Sequence, residues 1–534
     1  MDTDDNFPQD VGEDYVHRPR EGLHKEPALC NAILRSVTSS VPLSIRSSTI
    51  SPGSGLFVDQ TVEEGREIYR SEPLMSAIDA GNPPFCHHCL RDTSAAVENG
   101  SEPLSQAKAC MGCRVARFCS KKCQKDAWAK FHKDECSVLK NVPKIKAEHL
   151  LVHRLIFWQQ RKGITTTQGN VIEMLETHFN DYSNDGERNA EILDKGMAVH
   201  KATGGKVHAG LTWRMIPAFR TNCVRLRPAS KKESVGAALD LVTTTINHSC
   251  EPNAFVFFEG TQLRVRSLKR IAAGGEISIC YIDPTIDTVR RQSMLNREHF
   301  FDCYCSRCKG EEKEYTTLLK TKPRIDAFHK AQRAILDLMS SAVVAAKYPG
   351  LYPAFEDIGG VETQIRTITQ GAFPSSSWPD HIEPLPSARM SIADLHMGHG
   401  NLAPALRSAL RGKLMSCRRS GPEFVNEMMD VIYILLAFGN LAVDDAVFED
   451  KALPSPPDLC TVACGYLYET CQEAGKAFGG DAAYTKGICD ILASVLAKKP
   501  GEKPGSEGFA KEFAIAQAGL TDWAAIPSSY RMML

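Results

Sequence analysis

The sequence has almost no net charge. Its 534 residues carry 63 Lys and Arg against 64 Asp and Glu, a balance of −1. No global field therefore draws the chain to nucleic acid or to an anionic membrane. Long apolar runs are also missing. The longest, about Val431 to Val443, contains Gly439 and Asn440, and it falls short of the roughly 20 residues that cross a bilayer. It reads as a buried helix, and no membrane is expected among the partners. The N-terminus, Met1-Asp-Thr-Asp-Asp-Asn, lacks the basic and apolar regions of a secretory signal. The expected location is the nucleus, the cytoplasm or both, although Lys231-Lys232 is a weak import signal. No strict internal repeat is found.

The bulk composition, 43% apolar and 24% charged, is that of a globular protein. The length suits roughly two to four domains. Residues 1–38 are polar and turn-rich and read as a mobile N-terminus. A glycine turn at Ser51-Pro-Gly-Ser-Gly55 enters a short strand, and Glu67 to Arg70 reads as another. Further strands are expected over Ala254–Phe258, Gln262–Ser267 and Glu276–Tyr281, with turns at Glu259-Gly260-Thr261 and Ala272 to Gly275. A helix is expected over about Ile145 to Gln160. Beyond Lys313 the period is helical, over Ile325–Lys347, Pro422–Leu441, Leu459–Phe478 and Asp481–Ala497. Breaks fall at Pro374 to Pro386 and Pro500 to Pro504. This part suggests an array of the tetratricopeptide kind by architecture alone.

Cysteine is the residue whose placement informs most. Of 19, eleven fall in two spaced clusters if Cys250 is counted with the second. In a chain without a secretory signal these read as thiols and metal ligands rather than disulfides. The first cluster runs Cys86-x2-Cys89, Cys110-x2-Cys113, Cys119-x3-Cys123 and His132-x3-Cys136. Seven thiols and one imidazole suffice for two closed tetrahedral zinc sites. Four protein ligands leave no open position, so such zinc is structural and not a Lewis acid. His87 and His88 are weaker competitors, lying between better-spaced thiols. Arg114, Arg117, Lys121, Lys122, Lys125 and Lys130 face only Asp126 in charge. They read first as a solvated face, and nucleic acid is the weaker alternative.

This cluster resembles a MYND zinc finger. That family interleaves its sites, which implies Cys86, Cys89, Cys119 and Cys123 on one ion and Cys110, Cys113, His132 and Cys136 on the other. The stretch from Cys89 to Cys110 is longer than usual there and implies an extra loop. The resemblance also implies proline-rich peptides as candidate partners.

A second motif follows a short apolar and threonine run, Leu239 to Ile246. It reads Asn247-His248-Ser249-Cys250, extended to Pro252-Asn253. Later come Glu276 to Tyr281 with Asp283, then Cys303, Cys305 and Cys308. This order resembles the SET domain of protein lysine methyltransferases. With the finger it resembles the SET and MYND domain-containing methyltransferases. The implied fold is α+β and multidomain: a β-rich SET domain split by a MYND finger, a post-SET zinc segment and an α-helical C-terminal region. The implied boundaries are 39–85 and 216–285 for the SET parts, 86–136 for the finger and 137–215 for a helical insert. They continue with 286–312 for the post-SET segment and 313–534 for the helical domain.

The resemblance implies S-adenosylmethionine as cofactor, a protein lysine as substrate and three zinc ions. Gly53, Ser54 and Gly55 match the turn beside the cofactor. Asn247 and His248 match the residues that hold its amino group and adenine, and Phe301 an aromatic wall. Tyr281 matches the tyrosine of the methyl-transfer pore. Cys250 would join Cys303, Cys305 and Cys308 on the third zinc. Three departures stand out. His299 occupies the place of a second channel tyrosine and is expected to titrate near neutral pH. Ser54 replaces a longer residue, and Gly275 replaces a carboxylate. They give weight to an alternative, a zinc-finger adaptor with a weak or inactive SET fold.

Overall fold

The computed structural model describes residues 22–80, 85–93, 107–162, 167–207, 209–347, 357–372, 378–416, 418–439, 441, 446–450, 452–498 and 501–532. The expected extra loop after Cys89 falls largely outside them, as does the start of the N-terminus; of the two proline breaks only residues 374–377 and 500 lie outside. The chain forms two compact units. The first comprises the chain through Tyr281 together with Leu295–Asp302, and the second Ile282–Met294 together with Cys303 onward.

The first unit is built from short strands in small sheets. These are β1 (Thr38–Ser39), β2 (Leu43–Ser47), β3 (Ser54–Val58), β4 (Glu67–Ser71), β5 (Met75–Ile78), β6 (Lys108–Ala109) and β7 (Arg117–Phe118). They continue as β8 (Val224–Leu226), β9 (Gly236–Leu239), β10 (Asn247–His248), β11 (Ala254–Glu259), β12 (Gln262–Ser267) and β13 (Ser278–Ile279). The largest sheet has the order β1-β4-β12-β11, and a second the order β5-β9-β8. β11 and β12 close a hairpin in which Glu259 faces Gln262, and Gly260 takes a positive φ of 60° at its tip, a conformation glycine adopts without cost.

The expected strand Glu276–Tyr281 is divided between two partners. Glu276 bridges Phe57, and Ile277 donates to the Leu56 carbonyl. Only Ser278–Ile279 pairs, in parallel, with Asn247–His248. That switch brings the two motifs together. The turn before Asn247 is fixed by a buried polar knot. Asp240 accepts from Ser71 Oγ at 2.6 Å, and from the Thr243 N–H and hydroxyl at 2.8 and 2.6 Å. Tyr69, fully buried, shares a 2.9 Å hydrogen bond with Thr243. These bonds satisfy groups that would otherwise be costly to bury.

The N-terminal reading needs correction. Residues Leu23–Lys25 form a helical turn and Pro27–Leu34 a helix, and Leu23, Cys30 and Ile33 are buried in the core of this unit. Proline at the first helical position pre-sets the backbone there. Between the finger and β8 lie the helices Ala147–Lys162, Thr167–Glu173, Phe179–Asn184, Gly186–Ala202 and Ala209–Asn222.

Among its described residues the second unit is helical. Lys322–Lys347, Gly421–Phe438, Pro456–Ala477 and Ala483–Lys498 match the periodic segments, and Ile358–Ala372, Leu385–Gly398, Leu402–Leu414 and Glu507–Trp523 add to them. Pro456–Ala477 starts at a capping serine, Ser455, whose hydroxyl accepts from the Asp458 N–H. Cys471 and Cys489 form a disulfide within this unit, a pairing that the thiol reading of the scattered cysteines did not include.

Candidate active site and metal centres

Between Cys86 and Cys136 the candidate ligands gather into two groups. Cys86, Cys89, Cys119 and Cys123 form one, and Cys110, Cys113, His132 and Cys136 the other, with the ligand atoms of each group within 4.8 Å of one another. A tetrahedron with Zn–S bonds of about 2.3 Å has edges of about 3.8 Å. The sulfurs of Cys89 and Cys119 lie 3.6 Å apart, and those of Cys110 and Cys136 3.9 Å. Both donor sets therefore fit zinc. His87 does not compete, because its Nδ1 accepts from the Arg117 N–H at 3.1 Å.

A buried chain of charges runs outward from His132. Its Nδ1 lies 3.4 Å from Glu135, which Arg154 grips at 2.7 and 2.9 Å. Arg154 stacks 3.7 Å over the Phe131 ring and donates to the Ser76 carbonyl of β5. Burial opposes charge on Glu135, but Arg154 and His132 outweigh it and hold the carboxyl down to about 2. Such a carboxylate orients a metal-binding imidazole. Here it also ties the finger to β5. Arg154→Ala leaves Glu135 buried without its cation, so we expect a loss of about 3–5 kcal/mol in denaturant unfolding. A loss below about 1 kcal/mol would remove Arg154 from this role.

The second motif is organised around Asn247. Its Nδ2 donates to the Ser54 carbonyl and to Glu276 Oε1, both at 2.9 Å, while its Oδ1 accepts from Ser51 Oγ at 2.8 Å. Glu276 also accepts from Ser48 Oγ, Thr49 N and Thr49 Oγ1, each at 2.7 Å. Burial works against its charge, yet the bonds from Thr49, Ser48 and Asn247 hold its carboxyl below the usual range. The carboxylate passes so close to Gly55 that a Cβ there would lie 2.4 Å from Oε1. Gly53 takes a positive φ of 106° at the same turn. Ser54 accepts from the His24 N–H at 3.0 Å, so the N-terminal helical turn contacts this site. Glu276, Ser51 and His24 were not singled out as site residues from the sequence.

His248 joins the motif to the tyrosine. Its Nδ1 accepts from the Tyr281 N–H at 3.0 Å, which leaves the proton on Nε2, 3.2 Å from Cys250 Sγ. The Tyr281 hydroxyl donates to the Ile246 carbonyl at 2.6 Å. Burial, with the Glu276 charge, pushes the Tyr281 hydroxyl well above its ordinary range. The Tyr281 ring lies 5.2 Å from His248 and 4.8 Å from His299, and Phe301 lies 5.7 Å from His248.

His299 departs from expectation in its chemistry. Burial drives it down to about 3, so it stays neutral near pH 7, and its buried Nδ1 has no hydrogen-bond partner. Phe300 sets the geometry here and was missed from sequence. Its φ of 59° lies in the left-handed region. The turn sends the Phe300 ring 4.8 Å from Tyr182 and 5.1 Å from the Arg188 guanidinium, both in the helical insert.

The remaining ligand candidates belong to different units. Cys250 is buried in the first. Cys303, Cys305 and Cys308 open the continuous part of the second, with Cys303 and Cys308 buried. Gln292 pairs with the Cys303 backbone at 2.7 and 2.8 Å. The fully buried Arg291 holds Glu311 at 2.7 Å and approaches Cys308 Sγ at 3.9 Å.

Two other histidines, His149 and His153, are buried without hydrogen-bond partners. Burial pushes His149 and His299 down to about 3 and His153 to about 4. Unfolded, each takes its proton near pH 6.5. Below that value the unfolded chain binds more protons, so stability falls as pH drops, by up to about 1.4 kcal/mol per group per pH unit. Thermal unfolding from pH 7 to 5 should therefore show a steadily falling midpoint. A flat profile would contradict the neutral burial of these rings.

The SET domain family profile matches residues 53–282. Similar curated proteins include human histone-lysine N-methyltransferase SMYD3, 27% identical over 276 residues, 50% of this chain and 61% of that one. Another is the SET domain and MYND-type zinc finger protein 6 of Schizosaccharomyces pombe, 27% identical over 268 residues, 48% of this chain and 50% of that one. Histone-lysine N-methyltransferase ASHR1 of Arabidopsis thaliana is 27% identical over 279 residues, 48% and 53%. The chain thus spans about half to three-fifths of the length of these relatives. A solved structure of Rubisco LSMT bound to sinefungin and monomethyllysine aligns over 91% of this chain and 97% of that one, with 11% identity and a TM-score of 0.30, a likeness too loose to carry an argument. Both cysteine groups lie inside the matched span, and the asparagine–histidine motif pairs with Ser278–Ile279, so that residues 53–282 match a SET domain and the chain is similar to SET and MYND domain-containing proteins.

Proposed function

We propose that the protein transfers a methyl group from S-adenosylmethionine to the ε-amine of a lysine in a protein substrate. The observation that carries this reading is the Tyr281 hydroxyl. Its proton is committed to the Ile246 carbonyl, so its oxygen presents lone pairs and no spare proton. Such an atom orients an amine N–H without adding charge. The neutral His299 lies beside it. A lysine with an ordinary pKa of about 10.4 must arrive deprotonated, and a desolvated channel disfavours its cation. Tyr281 and His299 act there by positioning, which supplies much of the rate when the attacking atom is held in line.

The bound cofactor supplies an already activated methyl on a sulfonium. In this reading Gly53, Ser54 and Gly55 let the backbone approach it. Asn247, with both N–H groups spent on Ser54 and Glu276, offers the second lone pair of Oδ1 to its ammonium group. His248 and Phe301 supply ring surface on one side.

The proposal extends to three zinc ions per chain: two in the finger and one on Cys250, Cys303, Cys305 and Cys308. Support for the third comes from the three clustered thiols, one ligand short of a closed site, and from Cys250, buried with a ring N–H directed at its sulfur. Metal analysis of the purified chain should give three zincs. Two would exclude Cys250 from metal binding. A location in the nucleus or cytoplasm and proline-rich partners for the finger complete the reading.

The test is direct. The full chain should bind S-adenosylmethionine by calorimetry and transfer labelled methyl to lysine peptides on an array. No binding at millimolar cofactor would end the enzyme reading and leave the adaptor.

A further inference from the structure

β2 and β3 are joined by residues 48–53, closed by the Ser48 N–H on the Gly53 carbonyl at 3.0 Å. Ser48 Oγ braces this loop, accepting from Ile50 N at 2.9 Å and Ser51 N at 3.1 Å. Its tip faces solvent: Ile50 is 45% exposed, and Pro52 and Gly53 are exposed. Ser51 is half-buried and donates its hydroxyl proton to Asn247 Oδ1. It is followed by Pro52. The other Ser-Pro pair of the chain is Ser455-Pro456, where the serine caps a helix.

We propose that Ser51 is a phosphorylation site for a proline-directed protein kinase, and that its phosphate turns cofactor binding off; this rests on the cofactor reading above. In the transfer, Ser51 Oγ bonds to the γ-phosphorus of ATP. The bond from that phosphorus to the bridging oxygen breaks, ADP leaves, and the hydroxyl proton passes to solvent.

The consequence follows from donor and acceptor counting. A hydroxyl gives Asn247 Oδ1 a proton. A phosphate near pH 7 carries about −1.5 to −2 charges and offers mainly acceptors. It would face the Asn247 carbonyl oxygen, with the Glu276 carboxylate bonded to the same amide. Ser48, Thr49 and Ser51 hydrogen-bond Asn247, Glu276 and their own loop, and none of these partners is cationic. Repulsion therefore pushes the loop off Asn247 and removes the turn that leads into Gly53-Ser54-Gly55.

The full chain is treated with ATP and a proline-directed kinase, mapped by mass spectrometry and titrated with S-adenosylmethionine. The expected result is phosphate on Ser51 and affinity weakened at least about tenfold, restored by phosphatase. Kinase treatment of Ser51→Ala should leave that variant's own affinity where it was. No phosphate on Ser51, whether or not Ser455 takes one, overturns the proposal, and so does unaltered affinity of the Ser51-phosphorylated chain. If the untreated chain binds no cofactor, the cofactor reading fails, and this proposal with it. If the untreated chain binds and the phosphorylated chain binds equally, this proposal fails alone.

Discussion

Tyr281→Phe is expected to lower methyl transfer about a hundredfold or more, while cofactor affinity stays within about twofold. The ring packs between His248 and His299, and phenylalanine retains that packing. What it loses is the oxygen that bonds Ile246 and that, in the proposed reaction, orients the attacking amine. An interaction made mainly in the transition state reduces turnover more than ground-state binding. Base chemistry by the tyrosinate is not expected, since burial and Glu276 hold the proton on the hydroxyl. Single-turnover transfer with saturating cofactor measures the effect. Equal rates for both forms would remove Tyr281 from the mechanism.

Cys113→Ser is expected to cost the zinc proposed for its ligand group and to destabilise the first unit by more than about 5 kcal/mol. Structural zinc in isolated fingers contributes about 10–16 kcal/mol. The loss should travel along a defined route. His132 belongs to the same ligand group as Cys113, and its imidazole is linked through Glu135 and Arg154 to Ser76. Hydrogen exchange should therefore quicken in Lys133–Asn141 and also in β5. Metal analysis and exchange together check this, and faster exchange confined to the finger would break the link.

Some of this was legible in the sequence because chemistry fixes spacing. Two cysteines two or three residues apart on a turn reach one ion, and the eight finger ligands sort in space as that constraint requires. The β11–β12 hairpin was legible because Gly260 sits where a positive φ is needed. Other features depend on contacts distant in sequence. Nothing local says that Glu276 bridges Phe57 of β3 while its side chain reaches Asn247, or that its carboxylate gathers Ser48 and Thr49 from 227 or more residues away. His299 looked titratable near pH 7 because its burial is set by elements elsewhere in the chain. The N-terminal helix did leave a signal. Pro27, with apolar residues at 30, 33 and 34, marks a helix start that the polar surroundings outweighed.

Phe300 has a consequence for how the site can change over time. Its neighbour His299 packs against Tyr281, and Phe301 against His299 and His248, while its own ring is gripped by Tyr182 and Arg188. A left-handed residue between two walls works as a hinge pin. A substitution in the insert that shifts this ring moves both walls together and leaves Tyr281 and the asparagine motif in place. In the proposed enzyme, selectivity can thus drift through Tyr182 and Arg188 with Tyr281 unchanged.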